Sequence, residues 1–186
     1  MSVRVWRWFW MGVAIVLLGS SCRPVSQEAE PAGSAGSQQP EPKTTVARVG
    51  DRAPAFELTD LDGNWVKLDD YKGQVVLLNF WAVWCGPCRA EFPVIQQVYE
   101  RYKTQGFVVL AVNIQESEER IAEFANETGL TFPVLLDRRG QVSARYRVRG
   151  LPTSLLVDRE GMILEKHIGP VDELTLARYL ALAGIQ

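Results

Sequence analysis

Metal-binding side chains are scarce in this chain of 186 residues, which has three cysteines and a single histidine, His167. A structural zinc site normally takes four cysteine or histidine ligands, so the composition disfavours such a site and we expect no bound metal. Covalent haem attachment needs a histidine directly after a Cys-x-x-Cys pair, and Arg89 holds that position here. Nothing else in the sequence indicates a cofactor, and we expect none.

The chain also has no excess of positively charged side chains. The chain has 20 lysines and arginines against 22 aspartates and glutamates, a net charge of −2, so it has no overall basic field for nucleic acid and we expect no such partner. Five arginines do cluster just ahead of Leu151 and Pro152, which is typical of a solvated face but would also attract an acidic partner. They are Arg138, Arg139, Arg145, Arg147 and Arg149.

The apolar run near the N-terminus is too short to cross a bilayer as a straight helix. It covers residues 8–19 and follows Arg4 and Arg7. A helix of 12 residues is about 18 Å long, whereas the hydrocarbon core is roughly 30 Å thick. This length favours the hydrophobic region of a signal peptide, and we assign residues 1–22 to a signal peptide or membrane anchor.

Cys22 is the odd cysteine of the chain and follows Leu-Gly-Ser-Ser. Its position resembles the lipoprotein signal, in which the cysteine becomes the lipidated first residue of the mature protein, although Gly19 stands where the usual pattern has a leucine. We predict lipidation of Cys22, with an uncleaved signal anchor as the second interpretation and a freely secreted form as the third. Because basic residues stay in the cytoplasm, the first two place the rest of the chain on the extracytoplasmic face of the cytoplasmic membrane.

Residues 23–49 are rich in Pro, Gly, Ser, Gln and Glu. Such a segment buries too little apolar surface to order itself, so we predict a disordered tether. At up to roughly 3.3 Å per residue it would hold a domain tens of ångströms from the membrane. The remaining residues, 50–186, form one predicted folded domain.

The chemistry of the chain is predicted to lie in the cysteine pair Cys85 and Cys88. On a helix, residues three apart lie roughly 5–6 Å from each other, which a disulfide accepts. An apolar run at residues 75–82 predicts a buried strand before the pair. Apolar residues at spacings of three and four predict a helix over residues 89–103 after it; they are Phe92, Ile95, Tyr99 and Tyr102.

The pair therefore lies at the N-terminus of a helix, where unpaired N–H groups and the helix dipole stabilise a thiolate. With an expected pKa of about 7, Cys85 is the predicted nucleophile. Cys88, one turn deeper, would resolve the mixed disulfide. A merely structural disulfide over so short a loop would restrain the unfolded chain little, so a redox-active pair is favoured.

The remaining elements predict an α/β fold with a mixed central sheet, helices on both faces and an N-terminal strand pair. We expect a strand at 107–113 parallel to the strand before the cysteines, and an antiparallel hairpin of 153–157 and 162–167. Leu174, Ala177 and Leu180 mark the predicted closing helix. The other expected elements are strands at 56–59, 65–68 and 133–136, a helix after the N-cap Ser117, and a short helix at 141–146.

Several motifs together carry a family resemblance. Trp-Cys-Gly-Pro-Cys after Phe-Trp-Ala, with Gly-Leu-Pro-Thr-Ser-Leu-Leu-Val-Asp at residues 150–158, resembles the thioredoxin superfamily. The continuation at 88–95, the Asn-Ile-Gln-Glu-Ser at 113–117 and the N-terminal membrane signal resemble the TlpA/ResA-like thiol-disulfide oxidoreductases of bacterial envelopes. The resemblance covers about residue 49 to the end and implies a thioredoxin-like fold.

The resemblance also implies roles for residues outside the pair. Pro152 is expected to be cis and packed beside the dithiol, with the backbone of Leu151 pairing with the substrate chain. Glu91 is expected near the dithiol, where a carboxylate would take the proton of Cys88; the alternative is a solvent-facing glutamate. Glu116 matches a second family acid, a candidate for proton transfer.

The sequence departs from classical thioredoxins at Asn79, and the resemblance gives different expected places to two tryptophans. Classical thioredoxins carry a buried aspartate at the position of Asn79, so this chain lacks that acceptor and Glu91 is the candidate substitute. Trp84 is expected to line the surface where partners dock, and Trp81 to lie in the core.

These features predict a monomeric, membrane-tethered disulfide reductase of the cell envelope. Its expected partners are disulfide-bearing envelope proteins, with apocytochrome c as one substrate that the resemblance implies, and a membrane electron donor of the CcdA/DsbD type. A disulfide-forming oxidase is an alternative that the redox potential decides.

Two further alternatives remain open. One is a thiol peroxidase, although Ala82 occupies the place of the threonine that such proteins carry. The other is a copper-binding chaperone, although related copper proteins use Cys-x-x-x-Cys with a distal histidine, and here the spacing is Cys-x-x-Cys with only His167 available.

Overall fold

Strands and helices alternate along residues 46–186, the part of the chain that the computed structural model describes. The predicted signal segment, Cys22 and most of the predicted tether lie outside the described residues. The strands are β1 Glu57–Thr59, β2 Trp65–Lys67, β3 Val75–Trp81, β4 Phe107–Ile114, β5 Val134–Asp137, β6 Thr153–Val157 and β7 Ile163–Ile168. The helices are α1 Gly86–Tyr102, α2 Glu118–Thr128, α3 Gln141–Arg145 and α4 Glu173–Leu182.

Five of the strands form one mixed sheet in the order β5-β4-β3-β6-β7. The neighbours β3, β4 and β5 are parallel, and β6 and β7 are antiparallel to their partners. Strands β1 and β2 form a separate antiparallel pair. This mixed sheet with a separate strand pair confirms the predicted fold class. Strand β3 connects to β4 through a helix, which allows a parallel pairing, whereas β6 connects to β7 through a tight turn and is antiparallel to it.

The strand period of two divides the core into two clusters, one on each face of the sheet. On β3, Val75, Leu77 and Trp81 point to the face covered by α1, α2 and α4. The alternate residues Val76 and Leu78 point to the face covered by α3 and the segment before β3. Every residue of β3 is buried, as expected for a central strand with helices on both sides.

The active-site helix α1 begins at Gly86, three residues earlier than its predicted start at Arg89. Cys85 is its N-cap and Pro87 lies in its first turn, where the missing N–H of proline costs no helical hydrogen bond. Phe92 and Ile95 are fully buried. The helix therefore presents its first turn to the dithiol and its apolar face to the sheet.

The predicted closing helix is present as α4, and it buries Leu176, Tyr179 and Leu180. Leu174 is 80% exposed, and Leu176 is buried at 1%. Asp172 caps the helix by accepting a 2.8 Å hydrogen bond from the amide of Thr175 at its Oδ1. Of the three residues from which the helix was predicted, only Leu180 is buried.

The segment that leads into the domain packs along the outer edge of β7. The amide of Gly50 donates to the carbonyl of Ile163 at 2.8 Å, and the amide of Ile163 donates to the carbonyl of Asp51 at 2.9 Å. Ala47 is 4% exposed and its amide donates to the carbonyl of Arg145 at 3.2 Å. Packing thus starts three residues before the predicted domain start at Gly50. Within residues 46–186, none of the helices has both the length and the apolar character needed to span a membrane.

Candidate active site

The two cysteines lie directly after β3, at the start of α1. They form a disulfide with their Cα atoms 5.3 Å apart. Cys85 is 4% exposed and Cys88 is fully buried, so Cys85 is the sulfur nearer to solvent. This order agrees with the predicted roles of Cys85 as attacking residue and Cys88 as resolving residue.

The first turn of α1 directs a hydrogen-bond donor at the sulfur of Cys85. The backbone amide of Cys88 lies 3.2 Å from Sγ of Cys85, because the side chain of an N-cap residue accepts from the amide of the third helical residue. The positive end of the helix dipole adds to this donor. Both stabilise a negative charge on Sγ once the disulfide is reduced.

The other predicted docking residues are Trp84, Leu151 and Pro152. The Leu151–Pro152 peptide bond is cis, as the resemblance implied, and the carbonyl of Pro152 accepts a 2.9 Å hydrogen bond from the amide of Gly169. Leu151 is partly buried against the core cluster that contains both cysteines. Trp84 is 66% exposed, which makes its indole available to a partner, whereas Trp81 is fully buried against Phe92.

Glu91 is buried rather than solvent-facing. It is 2% exposed, and its Oε1 accepts from Nδ2 of Asn79 at 2.8 Å while its Oε2 accepts from the amide of Val171 at 2.8 Å. Burial raises the pKa of this carboxyl to about 7, and the two hydrogen bonds offset only part of the rise. The solvent-facing alternative is therefore wrong, and the site contains an acid that titrates near neutral pH.

Glu116 holds the backbone that precedes Cys85. Its Oε2 accepts from the amide of Val83 at 2.6 Å and from Nδ2 of Asn113 at 2.7 Å. Since Asn113 lies opposite Trp81 in the β3–β4 register, this contact ties the loop after β3 to the end of β4. The geometry gives Glu116 a positioning contact with the loop that carries Cys85.

Sequence comparisons agree with this arrangement. The AhpC/TSA family matches residues 49–166. Thiol-disulfide oxidoreductase ResA of Geobacillus kaustophilus is 44% identical over 138 residues, which cover 74% of this chain and 79% of the relative. The chain belongs to the ResA-like thiol-disulfide oxidoreductases of the thioredoxin superfamily. It is accordingly a disulfide oxidoreductase.

Solved structures of similar proteins share the fold of this ResA-like chain. The thioredoxin domain of a thiol-disulfide oxidoreductase from Bacteroides vulgatus superposes with a TM-score of 0.66 at 31% identity, covering 74% of this chain and 99% of that one. The pneumococcal exposed lipoprotein thioredoxin Etrx1 from Streptococcus pneumoniae gives a TM-score of 0.62 at 32% identity, covering 68% and 98%.

Sequence reasoning missed two partners of the acids in this ResA-like site and one partner of Asn79. Asn113 binds Glu116, Val171 binds Glu91, and Oγ of Ser154 accepts from Nδ2 of Asn79 at 3.0 Å. A polar residue at the end of the apolar strand β4 was a usable signal for Asn113. Val171 acts through its backbone amide, so its side chain gave no indication.

The histidine of the alternative copper site lies on β7, opposite Ser154 in the β6–β7 register. Among residues 46–186, no group of three or more His, Cys, Asp and Glu side chains is placed to hold a metal ion.

Proposed function

We propose that this ResA-like oxidoreductase is a membrane-tethered protein-disulfide reductase that acts outside the cytoplasm. The observation that carries the proposal is the combination of Cys85 at the N-cap of α1, Cys88 buried one turn below it, and the buried carboxyl of Glu91 with a pKa raised to about 7. Such a pair is built to cycle between dithiol and disulfide rather than to crosslink the fold.

The first step is attack by the reduced pair on a substrate disulfide. The thiolate of Cys85, stabilised by the amide of Cys88 and the helix dipole, bonds to one substrate sulfur. The substrate S–S bond breaks, and the second substrate sulfur leaves as a thiolate that takes a proton from water. Trp84, which directly precedes Cys85, and Leu151 would contact the substrate chain.

The second step releases the substrate. Cys88 must lose its proton before it attacks Sγ of Cys85, and the ionised carboxylate of Glu91 would accept it. Glu91 follows Cys88 by three residues and so lies on the same side of α1. Attack by Cys88 forms the Cys85–Cys88 disulfide and breaks the bond between Cys85 and the first substrate sulfur, which leaves as a thiolate, so two electrons pass from the enzyme to the substrate.

Turnover then requires a dithiol donor, because the oxidised pair has no electrons left to give. A membrane electron donor of the CcdA/DsbD type would reduce the Cys85–Cys88 disulfide and become oxidised in turn. Glu116, which holds the loop before Cys85, would keep the sulfur in the same place in both half-reactions or assist proton transfer there.

The proposed location follows from the N-terminal segment. Arg4 and Arg7, the apolar run and Cys22 favour a lipidated or anchored N-terminus, and one structural neighbour is itself described as an exposed lipoprotein thioredoxin. Disulfide-bearing envelope proteins would be the substrates, with apocytochrome c among them, and the enzyme would act as a monomer.

An equilibrium redox titration of the purified chain tests the direction of the reaction. We expect a potential near the roughly −270 mV of thioredoxin, whereas a value near −120 mV would support the disulfide-forming oxidase. Reduction of a protein disulfide, measured with dithiothreitol as the electron source, tests the activity itself. Peroxide turnover by the same preparation would instead favour the thiol peroxidase.

A further inference from the structure

One stretch of the chain, which contains the Leu151–Pro152 bond, carries only positive charge. Residues 138–157 contain five arginines and neither aspartate nor glutamate, although the whole chain has a net charge of −2. In the fold this stretch runs from the end of β5 through α3 to the end of β6. Charge of one sign is thus concentrated on one part of the surface.

Two of these arginines and one lysine converge on the loop between α3 and β6. Arg147 and Arg149 are exposed, and Nζ of Lys166, on the neighbouring β7, donates to the carbonyls of Tyr146 at 2.9 Å and Arg147 at 3.0 Å. Partial burial, followed by the charges of Arg149 and Arg147, lowers the pKa of Lys166. The three positive charges are therefore close enough to repel one another. We call Arg147, Arg149 and Lys166 the basic loop surface.

The basic loop surface has no acidic partner among residues 46–186. The ion pairs within that range join other residues, for example Arg138 with Glu118 and Arg178 with Glu165. Three neighbouring cations without counter-ions repel one another, and an external anion relieves that repulsion. Arginine side chains also bind carboxylates through two parallel hydrogen bonds.

Arg147 and Arg149 lie on the loop that enters β6 at the dithiol end of the sheet. Thr153 is opposite Phe80 in the β3–β6 register, so the loop before Thr153 reaches the end of β3 from which the chain continues to Cys85. An anion bound to these arginines would therefore lie at the same end of the sheet as the disulfide being exchanged.

We propose that Arg147, Arg149 and Lys166 bind an acidic segment that flanks the disulfide in the partner protein. The inference rests on the proposed reductase function and adds a substrate preference to it. An anionic membrane surface is the other chemistry that these cations fit. We favour the protein segment because a bilayer lying on this face would cover the approach to Cys85.

Matched peptides test the preference. Three disulfide-bearing peptides differ only in whether glutamate, glutamine or lysine flanks the cystine, and the rate of their reduction by the reduced full chain is measured. We expect the glutamate peptide to react about three- to tenfold faster than the glutamine peptide and the lysine peptide to react slowest. The ratio should approach one as salt is raised from roughly 0.01 M to 1 M, because the Debye length falls about tenfold.

Variants assign the preference to the basic loop surface. The double variant Arg147→Asn/Arg149→Gln should reduce all three peptides at nearly equal rates; asparagine suits residue 147, whose φ is +50°. Arg149→Glu should favour the lysine peptide. The matched control Arg48→Gln/Arg120→Gln removes two exposed positive charges elsewhere and should keep the wild-type preference.

The outcomes separate this inference from the proposed function. Equal rates for the glutamate and glutamine peptides in the wild-type chain would overturn the inference while leaving the reductase intact. Failure to reduce any peptide would contradict the reductase itself. Vesicles of phosphatidylcholine with or without phosphatidylglycerol test the membrane: if Arg147→Asn/Arg149→Gln loses a preference for the anionic vesicles but changes no peptide rate, the surface binds lipid and the inference is wrong.

Discussion

Nδ2 of Asn79 lies 2.8 Å from Oε1 of Glu91, so the central strand and the active-site helix share a buried hydrogen bond. Asn79 occupies the position where classical thioredoxins carry an aspartate, and here the amide at that position binds a carboxylate supplied by α1. The fold thus keeps an acid beneath the dithiol while placing it on a different element. Because burial raises the pKa of Glu91 to about 7, both substrate release and the stability of the fold should depend on pH near neutrality.

Glu91→Gln should slow the release of substrate from the mixed disulfide by about 100-fold, the usual order of loss for a general base. In the wild-type chain this step should speed up as the pH rises through about 7, where Glu91 ionises, whereas in the variant the rise should be displaced to higher pH, where Cys88 ionises without assistance. Stopped-flow measurement of mixed-disulfide decay against pH checks this. The two proteins should converge near the ordinary cysteine pKa of about 8.5, and a parallel pH profile in both would contradict a proton-transfer role.

Glu91 should also make the folded chain less stable as the pH rises. The pKa of its carboxyl is about 7 when folded against a model value of 4.5, so between these values the folded state binds more protons than the unfolded state. The stabilisation is complete below pH 4.5 and is lost as the pH rises through 7, a change of about 3 kcal/mol. Urea unfolding of wild type and Glu91→Gln over this range isolates the contribution, and an identical pH dependence in both would refute it.

The two cysteines should behave differently when substituted. Cys85→Ser removes the attacking thiolate, so disulfide reduction should be lost and no mixed disulfide should form. Cys88→Ser leaves the attacking thiolate without its resolving partner, so a covalent complex with a protein substrate should accumulate. Mass spectrometry after acid quenching detects it, and accumulation in Cys85→Ser instead would reverse the assigned order.

Asn113→Ala should loosen the loop before Cys85 without unfolding the chain, because it removes one of the two hydrogen bonds that Oε2 of Glu116 accepts. We expect a loss of about 0.5–1.5 kcal/mol in stability, the net contribution of one hydrogen bond. The pH profile of Cys85 alkylation should shift as well. Asn126→Ala, an exposed change on α2, is the matched control and should move neither quantity.

Leu176→Ala and Leu174→Ala should differ although they are two residues apart on α4. Leu176 is 1% exposed, so its truncation leaves a cavity and should cost about 2–5 kcal/mol. Leu174 is 80% exposed, and its truncation should cost less than about 0.5 kcal/mol. Thermal or urea unfolding measures both, and a larger loss for Leu174→Ala would contradict the burial pattern of α4.

The strands and the dithiol were accessible from the sequence because their signals are local. The apolar run of β3, the cysteine spacing and the period of α1 each lie within one window of the chain. Contacts between distant segments were not accessible in the same way. The buried carboxylate of Glu91 accepts a hydrogen bond from the amide of Val171, 80 residues away. Residues 174–180 have apolar side chains on more than one side of α4, and packing in the folded chain buries only Leu176, Tyr179 and Leu180 among them. The cis bond before Pro152 was predicted from the resemblance, since the sequence alone favours trans.

The lead-in segment has a consequence for how the protein behaves among its own copies. The amide of Gly50 and the carbonyl of Asp51 form hydrogen bonds with the outward-facing carbonyl and amide of Ile163 on the edge strand β7. An uncovered edge strand presents unpaired amide and carbonyl groups, with which a strand of another molecule can pair. Removing the residues before Pro54 would expose a template for sheet-to-sheet association, and the shortened protein should form dimers or aggregates at concentrations where the longer one stays dispersed.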